Sequence, residues 1–184
     1  MSTNINLDTT AYSKLTGYKL FSYNIINYLM DNNEEIWKLL YYNDIDAWDK
    51  SNTSIAQKRS LIYAGQPDET LYRVFMGEKQ VNAWINEACL LRIFPHSVIP
   101  ETRTVNTTVM VFDVYCHYRI NTMSNYTTRI DSAVEELIST LNGSNIGGLG
   151  RLTFNAAIAK SDKVFESGQA PFGGKRITMS TKQN

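Results

Sequence analysis

The chain has no excess of charge of either sign: 18 Lys and Arg stand against 18 Asp and Glu in 184 residues. Proteins that grip nucleic-acid phosphates carry a basic surplus, so the balance argues against a general nucleic-acid binder. Chemistry-bearing side chains are scarce. There are two histidines and two cysteines, and Cys89, His96, Cys116 and His117 offer no Cys-x-x-Cys or His-x-x-x-His spacing for zinc. Cys116 and His117 are consecutive in a strand pattern, point to opposite faces and cannot chelate one ion together. No metal and no cofactor is expected. The purely apolar runs, such as Ala88-Cys89-Leu90-Leu91 and Val109-Met110-Val111-Phe112, stop at four residues, against about 20 for a membrane span. Met1-Ser2-Thr3-Asn4 lacks the basic start and apolar stretch of a signal peptide. The expectation is a chain made in a reducing cytoplasm, with buried thiols in place of a disulfide. The sequons at Asn52, Asn106, Asn125 and Asn142 then count as chance matches.

What is present is ordinary globular material, 43% hydrophobic and 20% charged, sized for one domain. Residues 1–17 are polar and read as a flexible arm, followed by a single domain over 18–184. Phe21, Ile25, Tyr28 and Leu29 recur at helical spacing. Asn32 followed by Glu35 predicts a capping box for a second helix carrying Ile36, Leu39 and Leu40. Thr53 or Ser54 caps a third, stopped by Gly65 and Pro67. Helices therefore fill residues 18–64.

Beyond them the period changes to two. Strands are expected over 70–76 and 87–94, the second broken by Pro95 and Pro100. The clearest strand spans 107–120, with Met110, Phe112, Val114, Cys116, Tyr118 and Ile120 inward. Asp113, Tyr115, His117 and Arg119 fall on the opposite, partly wet face. Thr128, with Asp131 three residues on, caps the strongest helix, whose stripe is Ile130, Val134, Leu137, Ile138 and Leu141. Alternation resumes over 152–158, a Gly/Pro-rich loop covers 167–174, and a last strand runs from 175 to 181. The predicted fold is α+β: a helical N-terminal third, then a mostly antiparallel sheet over 70–181 with one long helix packed across it.

No catalytic constellation emerges. The glycines of 142–150 follow a helix and precede a strand, the reverse of a phosphate cradle, and no Gly-Lys-Ser/Thr ending is present. Asp113 and His117 share a strand face, yet four residues of strand separate them by about 13 Å. The carboxylate pairs Asp44/Asp46 and Glu34/Glu35 sit in a turn and at a helix start, where acids are stabilising anyway. The chain is not expected to be an enzyme. Trp37 reads as core, whereas Trp48 and Trp84 are candidates for a contact surface.

The second half resembles the neck and tail-completion proteins of tailed bacteriophages, tail terminators among them. The resemblance rests on residues 87–154: Cys89-Leu-Leu-Arg-Ile-Phe94, Val111-Phe-Asp-Val-Tyr115, Asn125-Tyr-Thr-Thr-Arg-Ile-Asp131, Leu141-Asn-Gly143 and Gly150-Arg-Leu-Thr-Phe154. It implies a helix lying across a small sheet and a virion protein assembled in the host cytoplasm. The subunits would join into a ring of six or twelve that completes the tail and meets the head. Implied partners are further copies of the chain and tail-tube, sheath or head-connector proteins. DNA would pass through the lumen unread, and no membrane is involved. Candidate interface residues are Trp48, Trp84, Tyr115, Arg119, Arg151, Phe172 and Arg176. The competing expectation is a small cytoplasmic binding module that uses the exposed face of strand 107–120.

Overall fold

The computed structural model describes residues 20–77, 86–101, 106–154, 164–166 and 171–183. The expected arm, residues 1–17, lies outside the described residues. Three helices come first. Helix α1 (Phe21–Asn32) buries Phe21, Ile25, Ile26 and Leu29, the stripe expected from its spacing. Helix α2 (Glu35–Tyr41) buries Ile36, Trp37, Leu39 and Leu40. Its amide at Ile36 donates to Asn33 Oδ1 at 2.8 Å, so the capping side chain is Asn33 and not Asn32. Helix α3 (Ile55–Ser60) opens on a full capping box between Ser54 and Gln57.

Seven strands follow among the described residues: β1 (Val74–Phe75), β2 (Cys89–Pro100), β3 (Asn106–His117), β4 (Asn145–Ile146), β5 (Gly150–Thr153), β6 (Val164–Glu166) and β7 (Phe172–Gln183). They form one sheet in the order β1-β2-β3-β7-β5-β4, with β6 also paired to β7. Among the described residues only the β1–β2 strand pairing is parallel. A helical turn, α4 (Tyr118–Asn121), leads to the long helix α5 (Arg129–Leu141), capped as expected by Thr128 Oγ1 accepting from the Asp131 amide. The α+β class is as the periodicity predicts.

Several expected boundaries move, each for a local reason. The strand over 70–76 shrinks to two residues, because Asp68 caps a 3₁₀ turn at Glu69–Leu71. Pro95 does not end β2. The β2–β3 register shifts between Pro95 and Ser97, and at such an irregularity a missing amide proton is tolerated. Strand β3 stops at His117, whose Nδ1 accepts from the Arg119 amide at 3.3 Å and turns the chain into α4. Gly173 and Gly174 belong to β7, not to a loop. Of the strand expected over 152–158, residues 155–158 lie outside the described residues.

The main core lies between one face of the sheet and the helices. Cys89, Leu91 and Ile93 of β2, Met110, Phe112 and Val114 of β3, and Ile177 and Met179 of β7 pack there with α1, α2 and α5. The opposite face was expected to be partly wet. Instead a second, smaller cluster of Phe75, Ala88, Leu90, Tyr115 and Phe172, flanked by Tyr63 and Tyr72, covers part of it. Every residue of β3 after Asn106 is buried. This two-sided burial decides what the charged residues on β3 do.

Candidate functional site: a buried Arg–Asp–Arg rung

Three strands place one charged residue each at the same level. Register pairs Arg92 of β2 with Asp113 of β3, and Asp113 with Arg176 of β7. Period two then points all three side chains to the second face. Asp113 is 0% exposed, and the side chains of Arg92 and Arg176 are 12% and 25% exposed. Arg92 donates through Nε to Asp113 Oδ2 at 2.9 Å and also through Nη2. Arg176 donates through Nε to Oδ1 at 2.6 Å and through Nη2 to Oδ2 at 2.9 Å. Tyr115 hydroxyl completes the group, accepting from Arg92 Nη2 at 3.1 Å and donating to Asp113 Oδ2 at 3.3 Å.

Phe94 lies on the same face, two residues along β2. Its ring centroid is 5.1 Å from Arg92 Cζ and 5.8 Å from Arg176 Cζ, so one ring faces both guanidinium groups. Burial, then the Asp113 charge, push the Tyr115 phenol upward, which keeps it protonated as a donor. Chemically the rung is an acceptor saturated by donors: both Asp113 oxygens are taken, so the group is poorly suited to act as a base. What it does well is hold three strands in one register, because a slip of one residue would bury the charges unpaired.

A second buried arginine ties the helical third to the rest. Arg129, first residue of α5, is fully buried. Its guanidinium donates to Ile120 O at 3.0 Å, Leu39 O at 2.9 Å, Tyr42 O at 2.7 Å and Asp44 O at 2.7 Å. Leu39 and Tyr42 stand at the C-terminal end of α2, where carbonyl dipoles favour a cation. One side chain thus joins α2, the turn after it, α4 and α5.

The residues predicted from sequence divide by where the fold puts them. Tyr115 and Phe172 are buried within the chain, so their assignment to a surface is corrected: the second cluster, built from β1, β2 and the 63–72 segment, covers them. His117 is buried beside them, stacked on Tyr118 at 4.9 Å and edge-on to Phe172 at 5.3 Å. Asp113 and His117 are not brought together. Arg176 belongs to the rung. Trp48 packs half-buried against the main core, and Trp84 lies outside the described residues. Arg119 and Arg151 are exposed, Arg119 in an ion pair with Glu87 at 2.8 Å. Sequence reasoning passed over Arg92, Phe94 and Arg129. The alternation Arg92-x-Phe94 within an apolar strand was the one signal available for the first two. Among the described residues no group of three or more His, Cys, Asp or Glu is placed to hold a metal ion. Among them, too, no helix is long and apolar enough to cross a membrane.

Residues 33–181, well over half of the chain, match the family model YomW. The chain belongs to the YomW family. That family is of the Bacillus phage SPbeta region, which makes the protein phage-associated. No curated protein matches the chain. The YomW match opens at Asn33, the cap of α2, immediately after α1, and closes inside β7. All three members of the rung and all the carbonyl partners of Arg129 therefore lie within the YomW region.

Proposed function

We propose that this YomW-family protein is a structural virion component of a tailed phage, a subunit of a ring in the neck that completes the tail and joins it to the head. The observation that carries the reading is the placement of α5 across the core face of β3 and β7. This is the helix-over-sheet arrangement that the resemblance to tail-completion proteins implies. Membership of a phage-associated family supports it.

In this reading each subunit meets the next through two different patches, and the rotation between them closes a ring of six or twelve. The exposed arginines Arg119 and Arg151 are candidates for bridging to carboxylates of a neighbour. DNA passes through the lumen without sequence-specific contact, and the partners above and below are head-connector and tail-tube or sheath proteins. The work is assembly, with no turnover. The binding-module alternative needed an open face around Asp113, Tyr115 and His117, and all three are buried.

Light scattering over a concentration series, followed by negative-stain imaging with and without tail-tube or portal protein, tests the proposal. A closed ring, alone or templated by either partner, is expected. A monomer at every concentration that ignores both partners would overturn it.

A further inference from the structure

Cys89 and Cys116 lie directly opposite each other in the β2–β3 ladder, both as free thiols and both fully buried. The adjacent pair is hydrogen-bonded, His117 N–H donating to Ala88 O at 3.0 Å. Cys89 and Cys116 therefore occupy a non-hydrogen-bonded position, where opposed Cα atoms approach to about 4.5 Å and side chains are closest. That separation falls within the Cα range a disulfide spans. The register therefore suits a cross-strand disulfide.

The surroundings are unusual for two core thiols. Arg129, which acts electrostatically on both, donates only to backbone carbonyls. Arg73, the residue before β1, also acts on Cys89 and carries a buried Nη1 with no hydrogen-bond partner among the described residues. Two guanidinium groups, neither ion-paired among the described residues, thus bear on one sulfur. Cys116 Sγ donates to His117 O at 3.6 Å. The Cys116 thiol beside Cys89 favours the Cys89 thiolate most, burial opposes it, and Arg129 and Arg73 favour it further. Cys89 and burial push the Cys116 thiol upward, so it keeps its proton.

We propose that Cys89 and Cys116 form a peroxide-reactive dithiol, a modification site that closes once to a cross-strand disulfide. The Cys89 thiolate attacks one oxygen of hydrogen peroxide and the O–O bond breaks. The departing hydroxide takes up the proton lost from Cys89 and leaves as water, with Cys89 as sulfenic acid. The Cys116 sulfur then attacks the Cys89 sulfur. The S–S bond forms, the S–O bond breaks, and the leaving hydroxide takes the Cys116 proton. Two thiols and one peroxide become one disulfide and two waters. Full burial limits the oxidant to a molecule of peroxide size, entering as the strands open locally. Closure clamps β2 to β3, independently of any ring.

The test exposes the reduced full-length protein to hydrogen peroxide, then unfolds it, alkylates it and weighs it. Expected are a mass lower by two hydrogens, no alkylation, and a linked pair of tryptic peptides, residues 80–92 with 104–119. Cys116→Ser should stop at a Cys89 sulfenic acid trapped by dimedone, and Cys89→Ser should leave Cys116 unreactive. Arg73→Gln should slow closure, because it removes one of the two guanidinium groups that favour the Cys89 thiolate. Should either cysteine variant fail to fold, the linked peptides of the wild type still decide. Two thiols that stay alkylatable at every peroxide concentration, oxygen added without a link, or a link between two chains would each overturn the proposal.

Discussion

Gly174 of β7 sits opposite Tyr115 of β3, and the tyrosine ring lies where a side chain on Gly174 would go. A Cβ added at Gly174 would fall 2.5 Å from Tyr115 Cδ1 and 2.8 Å from Val114 O. The glycine is there for close packing, and its position in the strand needs no unusual backbone angle. Gly174→Ala should destabilise the fold by about 1–3 kcal/mol, the range for overpacking. Gly173→Ala should be close to neutral, since its nearest atom would be Ile130 Cδ1 at 3.8 Å. Thermal denaturation of the two variants side by side checks both. Equal effects would count against the packing explanation.

The rung makes a second prediction. Asp113→Asn removes the charge between two guanidinium groups and leaves the geometry nearly unchanged. Breaking a buried pair from one side costs about 3–5 kcal/mol, and urea unfolding should show a loss of that order. Arg176→Met should cost less, because its side chain keeps partial access to water. If Asp113→Asn unfolds at the wild-type midpoint, the rung does not hold the strands.

Glu34 should shape the acid limb of the stability curve. Burial alone would raise its carboxyl. Lys58 Nζ at 2.7 Å, Thr53 hydroxyl at 2.7 Å and the Thr53 amide outweigh that and hold it below the usual carboxylate range. A depressed folded value stabilises the protein above the unfolded value, and the gain disappears as pH falls through the folded one. Below about pH 4.3, wild type should therefore lose stability more steeply than Glu34→Gln, and near neutral pH the variant should be the weaker. Urea midpoints at a series of pH values distinguish the two curves, and parallel curves would discount the Glu34–Lys58 pair.

Tyr126 is 97% exposed with φ of 63°, left-handed backbone that a bulky residue adopts at a cost. The turn is imposed by its neighbours: Asn125 Oδ1 accepts from both the amide and the hydroxyl of Thr127, and Tyr126 N–H donates to Met123 O. Within the chain, Tyr126→Asn has little packing to lose and should raise stability by about 1 kcal/mol. Differential scanning calorimetry reads this directly, and a lower melting temperature would mean the ring makes contacts worth more than the strain.

The sequence made some of this legible and hid the rest for reasons that particular residues display. Ile130, Leu137 and Leu141 lie on one stripe of α5, and Met110, Phe112 and Val114 on one face of β3, because side-chain period is a property of the local backbone. Ser54 and Thr128 capped their helices as their side-chain chemistry requires. Asp113 was visible as a charge facing away from the core, yet its environment was misjudged. Its partners Arg92 and Arg176 come from strands 21 and 63 residues away, and the cover over that face includes Phe75 and Leu90 from other strands.

By itself, then, the sequence determined the main helices and strands and the core-seeking face of α5 and β3, since period, caps and turn residues act within a few positions. Tertiary structure alone decided that β3 is buried on both sides and that Asp113 is a clamped anion. It also decided that Arg129 gathers four carbonyls and that Cys89 meets Cys116. Each of these depends on strand order and register, which sum weak preferences over the whole chain and leave no short pattern at any one place.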